Sequence, residues 1–125
     1  MAGYLHCRSR DIMLDPIASQ LERYMTLLST RQTLVASNIA NVDTPGYKTK
    51  DIDFQSELQN AMGQTAPIPQ EVPGLTLKND GNNVDLDREA RLLSENALRF
   101  SVASNLLHSE IKRVRMAIEG GGQSS

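Results

Sequence analysis

Tryptophan is absent from this chain, and aromatic side chains of all kinds make up only 4% of its 125 residues. A compact globular core usually takes its bulk from aromatic rings, so their scarcity points to extended helices packed through Leu, Ile, Val and Ala. Cysteine is nearly missing too. Cys7 stands alone, which excludes an intrachain disulfide and any cysteine-based metal cluster within one chain. No apolar run approaches the length of a transmembrane span, so membrane insertion is not expected. The opening stretch MAGYLHCRSRDIMLD meets Arg8 and Arg10 too soon to serve as the hydrophobic region of a signal peptide. A protein with this start that works outside the cytoplasm must leave by a route that reads something other than a cleaved signal. A strong charge of one sign is also lacking, with a formal net charge of -2, so nothing global draws the chain to nucleic acid or to an anionic surface. The length suits one soluble domain at most.

The hallmarks of catalysis are missing in the same way. His6 and His108 have no spacing to ligands or nucleophile partners, and His108 falls in an exposed helical phase. The stretch DGNNVDLDRE superficially suggests a calcium loop, but in either register the required glycine and the twelfth-position glutamate are absent. There is no glycine-rich phosphate loop, catalytic motif or zinc spacing, so neither an enzyme nor a cofactor is expected. The alternative reading is a small helical adaptor or a nucleic-acid-associated coiled coil using Lys48, Lys50 and the KRVR stretch from Lys112 to Arg115. Those residues form no basic stripe interleaved with aromatics, so they are expected to solvate a face and no nucleic-acid partner is expected.

Proline and glycine are confined to the chain's joints. The prolines are Pro16, Pro45, Pro67, Pro69 and Pro73, and the glycines are Gly3, Gly46, Gly63, Gly74, Gly81 and Gly120 to Gly122. Two long arms are thereby left free of both residues. The reading divides the chain into a flexible extension over 1–14, an N-terminal helix over 15–43, a turn and extended arm over 44–54, a flexible middle over 55–83, a C-terminal helix over 84–119 and a disordered tail over 120–125. Asp15 is the expected N-cap of the first helix, with Pro16 at its first position. Ala18, Leu21, Met25, Leu28, Val35, Ile39 and Val42 follow at three-four spacing, and only Gln32 breaks that seam. Gln32 is expected to face Ser104 or a neighbouring chain and to fix helix register. Asp85, Asp87 and Glu89 suit the start of the second helix. Its seam runs through Leu93, Phe100, Leu107, Ile111 and Val114 at heptad spacing.

The fold class that follows is mainly α, with two long terminal helices in an antiparallel coiled-coil-like pair, an extended arm and a flexible middle. Leu98, Val102 and Leu106 make a second apolar row off the seam, which a simple pair of helices leaves uncovered; they are candidate contacts with other chains. The middle, rich in Pro, Gly, Gln and Asn, has no sustained period, although Leu75 to Leu77 followed by Asp80-Gly81 allows a short strand and turn.

Between arm and helix lies the most specific stretch, SNIANVDTPGYK. Pro45 pushes Thr44 out of helical geometry and presets the first corner of a turn, and Gly46 supplies the positive φ of a type II second corner. Asn38, Asn41 and Asp43 lie around the helix end, where Asn41 and Asp43 can bond nearby backbone groups. Tyr47, Ile52 and Phe54 would then pin YKTKDIDF against a neighbouring surface.

SNIANVDTPGYKTKDIDF resembles the N-terminal signature of the bacterial flagellar axial proteins, the rod and hook family. Together with GNNVDLDREARLLSENALRF the pattern is most similar to that family's short proximal rod members, over about residues 15 to 119. Thr49-Lys50 departs from the more familiar Ala-Arg. The resemblance implies a structural subunit in the periplasmic rod of the flagellar basal body, required for motility and assembled through its terminal helices. It implies contacts with itself, with other rod proteins and with the basal-body adaptor FliE. It also implies passage through the flagellar type III export apparatus, for which Phe54 and Leu58 in FQSEL resemble an aromatic-x-x-x-hydrophobic docking motif.

Overall fold

The computed structural model describes residues 16–60 and 66–123. In chain order it contains α1 (Pro16–Ala40), β1 (Lys50–Ile52), α2 (Phe54–Gln59), β2 (Pro69–Glu71) and α3 (Leu86–Gln123). The extension over 1–14, with His6 and Cys7, and the cap at Asp15 lie outside the described residues. The molecule is mainly helical, and α1 packs along α3. The pair is antiparallel, since Asn38 meets Glu89 while Leu28 and Gln32, earlier in α1, meet Asn96, later in α3. Among the described residues no helix is long and apolar enough to cross a membrane.

Each helix ends where a specific competitor for its backbone appears. α1 stops at Ala40 rather than at 43 because Asn41 to Asp43 are drawn into the following turn. α3 begins at Leu86 because Asp85 caps it, its carboxylate accepting from the backbone N–H groups of Asp87 and Arg88 at 3.0 and 3.3 Å. At the other end α3 continues to Gln123, through the glycine run expected to stop it at 119. Glycine permits a left-handed stop without imposing one, and the positive-φ glycines among the described residues are Gly46, Gly74 and Gly81.

The middle segment corrects an expectation. Read as flexible over 55–83, it instead holds α2, β2 and a turn that docks on the end of α1. Residues 61–65 lie outside the described residues. β2 pairs antiparallel with β1 in the register Lys50↔Glu71, Asp51↔Gln70 and Ile52↔Pro69. Val72 extends the ladder by donating its N–H to Thr49 O at 3.0 Å. The strand therefore forms at 69–71 and not at 75–77. Pro69 is tolerated at the first position of an edge strand, where its missing N–H leaves the ladder intact. Asp80-Gly81 does turn: Gly81, at φ +83°, donates its N–H to Lys78 O at 2.9 Å.

The core is small and half polar. Among the described residues Ala18, Leu27, Leu28, Val35, Ile52, Val84 and Ala103 are the buried apolar ones; Asn38, Thr49, Asp51, Asn82, Asn83, Glu89 and Asn96 are buried beside them. α1 carries two inward faces. Leu28, Gln32 and Val35 turn to α3, while Tyr24, Leu27 and Arg31 share the face that meets the arm. On α3 the most deeply buried positions are Glu89, Asn96 and Ala103, with Leu107 and Val114 half-buried. This row is offset from the expected seam and leaves Leu93, Phe100 and Ile111 at 38, 40 and 45% exposure. The offset has a polar cause. Glu89 is drawn in by Asn38, and Asn96 by Gln32 and the Leu28 carbonyl, both at 3.4 Å. Gln32 thus meets Asn96, and Ser104 is exposed.

Candidate functional site

The residues that leave α1 build a knot in which side-chain amides stand in for backbone partners. Asn41 donates its backbone N–H to Ser37 O at 3.1 Å and its Nδ2 to the same carbonyl at 2.8 Å, closing the last helical turn. Thr44 Oγ1 then donates to Asn41 Oδ1 at 3.0 Å. Tyr47 N–H reaches back to Thr44 O at 3.2 Å across Pro45 and Gly46, and Gly46 has φ +74°. These are the marks of a type II turn, with glycine at its positive-φ corner. Asp43 is exposed at the start of this bend.

A second loop, from Lys78 to Val84, locks onto this turn. Asn82 is fully buried and donates Nδ2 to both Asn41 O and Thr44 O, each at 2.8 Å. Its Oδ1 accepts from Val84 N–H at 2.8 Å, so the amide spends both ends. Gly46 N–H donates to Asp80 O at 2.9 Å, and Lys78 Nζ to Val42 O at 3.2 Å. Lys48 Nζ donates to Gly81 O. One residue further on, Asn83 Oδ1 accepts from the buried Thr49 N–H at 2.6 Å, and Thr49 Oγ1 donates to Asn83 O at 3.3 Å.

Asn38 is the pivot between the arm and α3. Its Oδ1 accepts from Lys50 N–H at 3.1 Å and from Tyr47 OH at 3.0 Å; its Nδ2 donates to Lys50 O at 2.9 Å and to Glu89 Oε2 at 3.1 Å. To Lys50 this side chain behaves like a neighbouring strand, offering one acceptor and one donor. The amide is fully buried and fully satisfied, the condition under which a polar core group stabilises rather than destabilises.

Charge closes the assembly. Arg31 grips Asp51 with two parallel bonds, Nε to Oδ1 and Nη2 to Oδ2, both 2.9 Å. Arg88 adds Nη2 to Oδ2 at 2.8 Å and reaches Glu89 Oε1 with its other terminal nitrogen. Burial pushes the Asp51 carboxyl up, but the bonds and charge of Arg31, the Ile52 N–H and Arg88 together outweigh it and hold the group below its ordinary 3.8. Arg31 also lies over the Phe54 ring at 5.4 Å, and Phe54 meets Tyr24 edge to face at 5.5 Å. α1, the arm and α3 are thus joined through one residue each: Arg31, Asp51 and Arg88.

Several expected residues gather here: Asn38, Asn41, Thr44, Pro45, Gly46, Tyr47, Ile52 and Phe54. Leu58, on α2, stands apart at 38% exposure above a cleft of about 860 Å³ lined also by Ile17, Leu21 and Tyr24. Leu98, Val102 and Leu106 face away from α1, and Ile111 and Val114 lie far along α3. Sequence reasoning did not single out Arg31, Asp51, Asn82, Asn83, Arg88 or Asn96, and noted Thr49 only as part of the departure at Thr49-Lys50. Their signal was the polar side chains placed in or beside apolar runs, as in SENAL. Chemically the cluster is closed: Asp51 and Glu89 accept from arginine and amide donors. Among the described residues no group of His, Cys, Asp or Glu is placed to hold a metal ion.

Residues 25–48, from α1 through the turn, match the family described as flagella basal body rod protein. The flagellar basal body rod protein FlgB of Salmonella typhimurium is 31% identical, over 87% of this chain and 99% of that protein. The FlgB of Escherichia coli is likewise 31% identical over the same shares. That of Borrelia hermsii is 32% identical, over 78% of this chain and 91% of that protein.

Proposed function

This chain belongs to the flagellar basal body rod protein family, and on that premise we propose that it is a subunit of the proximal rod, exported by the flagellar type III apparatus and built into the rod through its two long helices. Its role in the basal body is structural. The observation that carries the finer reading is the far face of α3, where Leu98, Val102 and Leu106 are 67, 51 and 54% exposed. Single exposed apolar residues are ordinary, but a row of them along one helix marks an interaction surface. Other copies of the chain, other rod proteins and the adaptor FliE at the rod's base are the partners this reading names, and motility is the cellular output that depends on them.

Export adds a separate demand. Phe54 and Leu58 stand one helical turn apart on α2, and Phe54 is packed against Tyr24 and Arg31. An export receptor would therefore meet Phe54 before the arm has docked on α1. The test is made in cells from which the chain's own gene is deleted. The unaltered chain restores rods and swimming; Phe54→Ala combined with Leu58→Ala leaves cytoplasmic levels intact and stops secretion. Normal secretion of the double variant overturns the docking assignment. Failure of the unaltered chain to enter basal bodies overturns the rod reading itself.

A further inference from the structure

We propose that the groove between α1 and α3 receives the Leu98, Val102 and Leu106 ridge of a second copy of this chain, so that successive copies pack ridge into groove. The proposal rests on the rod reading and adds which face meets which.

The groove, of about 430 Å³, is floored by Leu28, Ala97 and Phe100 and edged by Gln32, Thr33 and Asn96. None of these residues is charged, and the absence of charge extends well beyond them. Charged residues make up 22% of the chain. Between Tyr24 and Val42, however, the one charged residue is Arg31, and its guanidinium is committed to Asp51. On α3 the stretch from Phe100 to Ser109 contains no Asp, Glu, Lys or Arg, although most of its side chains are exposed. Depletion of charge, more than hydrophobicity as such, distinguishes the centre of a protein interface from ordinary surface.

The hydroxyl of Thr33 at the groove's edge points the same way, donating to the Ser29 carbonyl at 3.2 Å. With that donor already satisfied inside its own helix, an apolar ridge can cover it without stranding it. A partner helix bearing charge at its centre would lose hydration against Leu28, Ala97 and Phe100 and gain no counter-charge. The ridge of this same chain meets the requirement over Leu98, Val102 and Leu106, flanked by Ser101, Asn105 and Ser109; the charges beside its N-terminal end, Glu95 and Arg99, are paired with each other. At about 100° per residue, Leu98 and Val102 lie on the opposite side of α3 from Phe100. One copy therefore offers its ridge to one neighbour and its groove to another, a heterologous contact that extends rather than closes on itself.

Disulfide trapping tests the pairing in the full chain with Cys7→Ser as background. Thr33→Cys marks the groove and Val102→Cys the ridge, both at exposed positions. Under mild oxidation, purified at high concentration or within basal bodies, the chain carrying both changes is expected to give a ladder of linked copies. A mixture of the two single variants gives linked pairs with one of each, and either variant alone loses the product. Linkage of Val102→Cys chains to each other as readily as in the mixture overturns the pairing, because the ridges then face one another. A Thr33→Cys adduct with a protein other than this chain overturns the choice of partner and leaves the rod reading standing, as does association without linkage. A chain that neither associates nor enters rods overturns both.

Discussion

Gly46 sits at φ +74° with nothing within 4 Å of the place where a Cβ would stand, so the cost of replacing it is set by one dihedral angle and not by space. Asparagine visits the left-handed region readily, whereas a β-branched residue there is a genuine outlier. Gly46→Asn is therefore expected to melt within a degree or two of the unaltered chain. Gly46→Val should lose about 1–2 kcal/mol or more, read as a lower melting temperature at one fixed protein concentration. Equal losses for both would mean that side-chain volume matters at the turn after all. The turn's location sharpens the functional consequence. Gly46 N–H is bonded to Asp80 O, so tilting this peptide detaches the Lys78–Val84 loop and with it the two bonds that Asn82 makes to the end of α1. Under the proposed export role, Gly46→Val is accordingly expected to impair assembly, which uses the folded turn, more than secretion.

Among the elements, the Asp51 cluster ties α1, β1 and α3 together, and its pH dependence has a definite sign. The Asp51 carboxyl is held below its ordinary value in the folded chain. Its stabilising contribution is thus fully present above the unfolded value of about 3.9, and is lost as pH falls through the lower, folded value. Asp51→Asn removes that acid limb and leaves Arg31 and Arg88 without their shared counter-charge, a loss of about 3–5 kcal/mol by analogy with other broken buried pairs. Melting at pH 7 and at pH 3, again at one concentration, should show a large gap between variant and unaltered chain at the higher pH and a smaller one at the lower. A gap independent of pH would mean that Asp51 acts through packing alone. This cluster also marks the limit of what could be read from sequence. The two helices were legible because their apolar residues recur at a fixed period, and the turn because Pro45 and Gly46 each restrict or free one backbone angle. Arg31 and Asp51 were not, because a charged residue inside a helix or a short arm reads as solvated unless its partner, 20 positions away, is known. The order within the middle segment escaped for a related reason. Its stability comes from Asn82 and Asn83 bonding α1 and the arm, not from any periodicity of its own.

Across the whole molecule, the balance between buried and exposed apolar residues predicts how the isolated chain behaves. Among the described residues seven apolar ones are buried, against seven polar ones, while eight large apolar residues are more than half exposed. Two of these, Ile68 and Leu77, lie in the middle segment; the other six, Leu86, Leu98, Val102, Leu106, Met116 and Ile118, belong to α3, whose 38 residues have few deeply buried contacts beyond Ala103. A helix without a covered face is marginal in water, since nucleation is costly and most helical stability in proteins comes from tertiary packing. The knot at the α1 end and the far half of α3 should therefore differ in stability, the first holding in the monomer and the second gaining helix as neighbours cover its apolar rows. Far-UV circular dichroism across a wide concentration range, with sedimentation on the same samples, reads this directly. Helicity is expected to rise with the onset of association and the melting temperature to rise with concentration. Val102→Asp, which places a charge on the ridge, should shift both onsets to higher concentration without changing the helicity of the dilute chain. Full helicity and cooperative melting in a dilute monomer would mean that α3 needs no neighbours to fold. In that case the exposed rows would serve recognition between preformed subunits rather than completion of their fold.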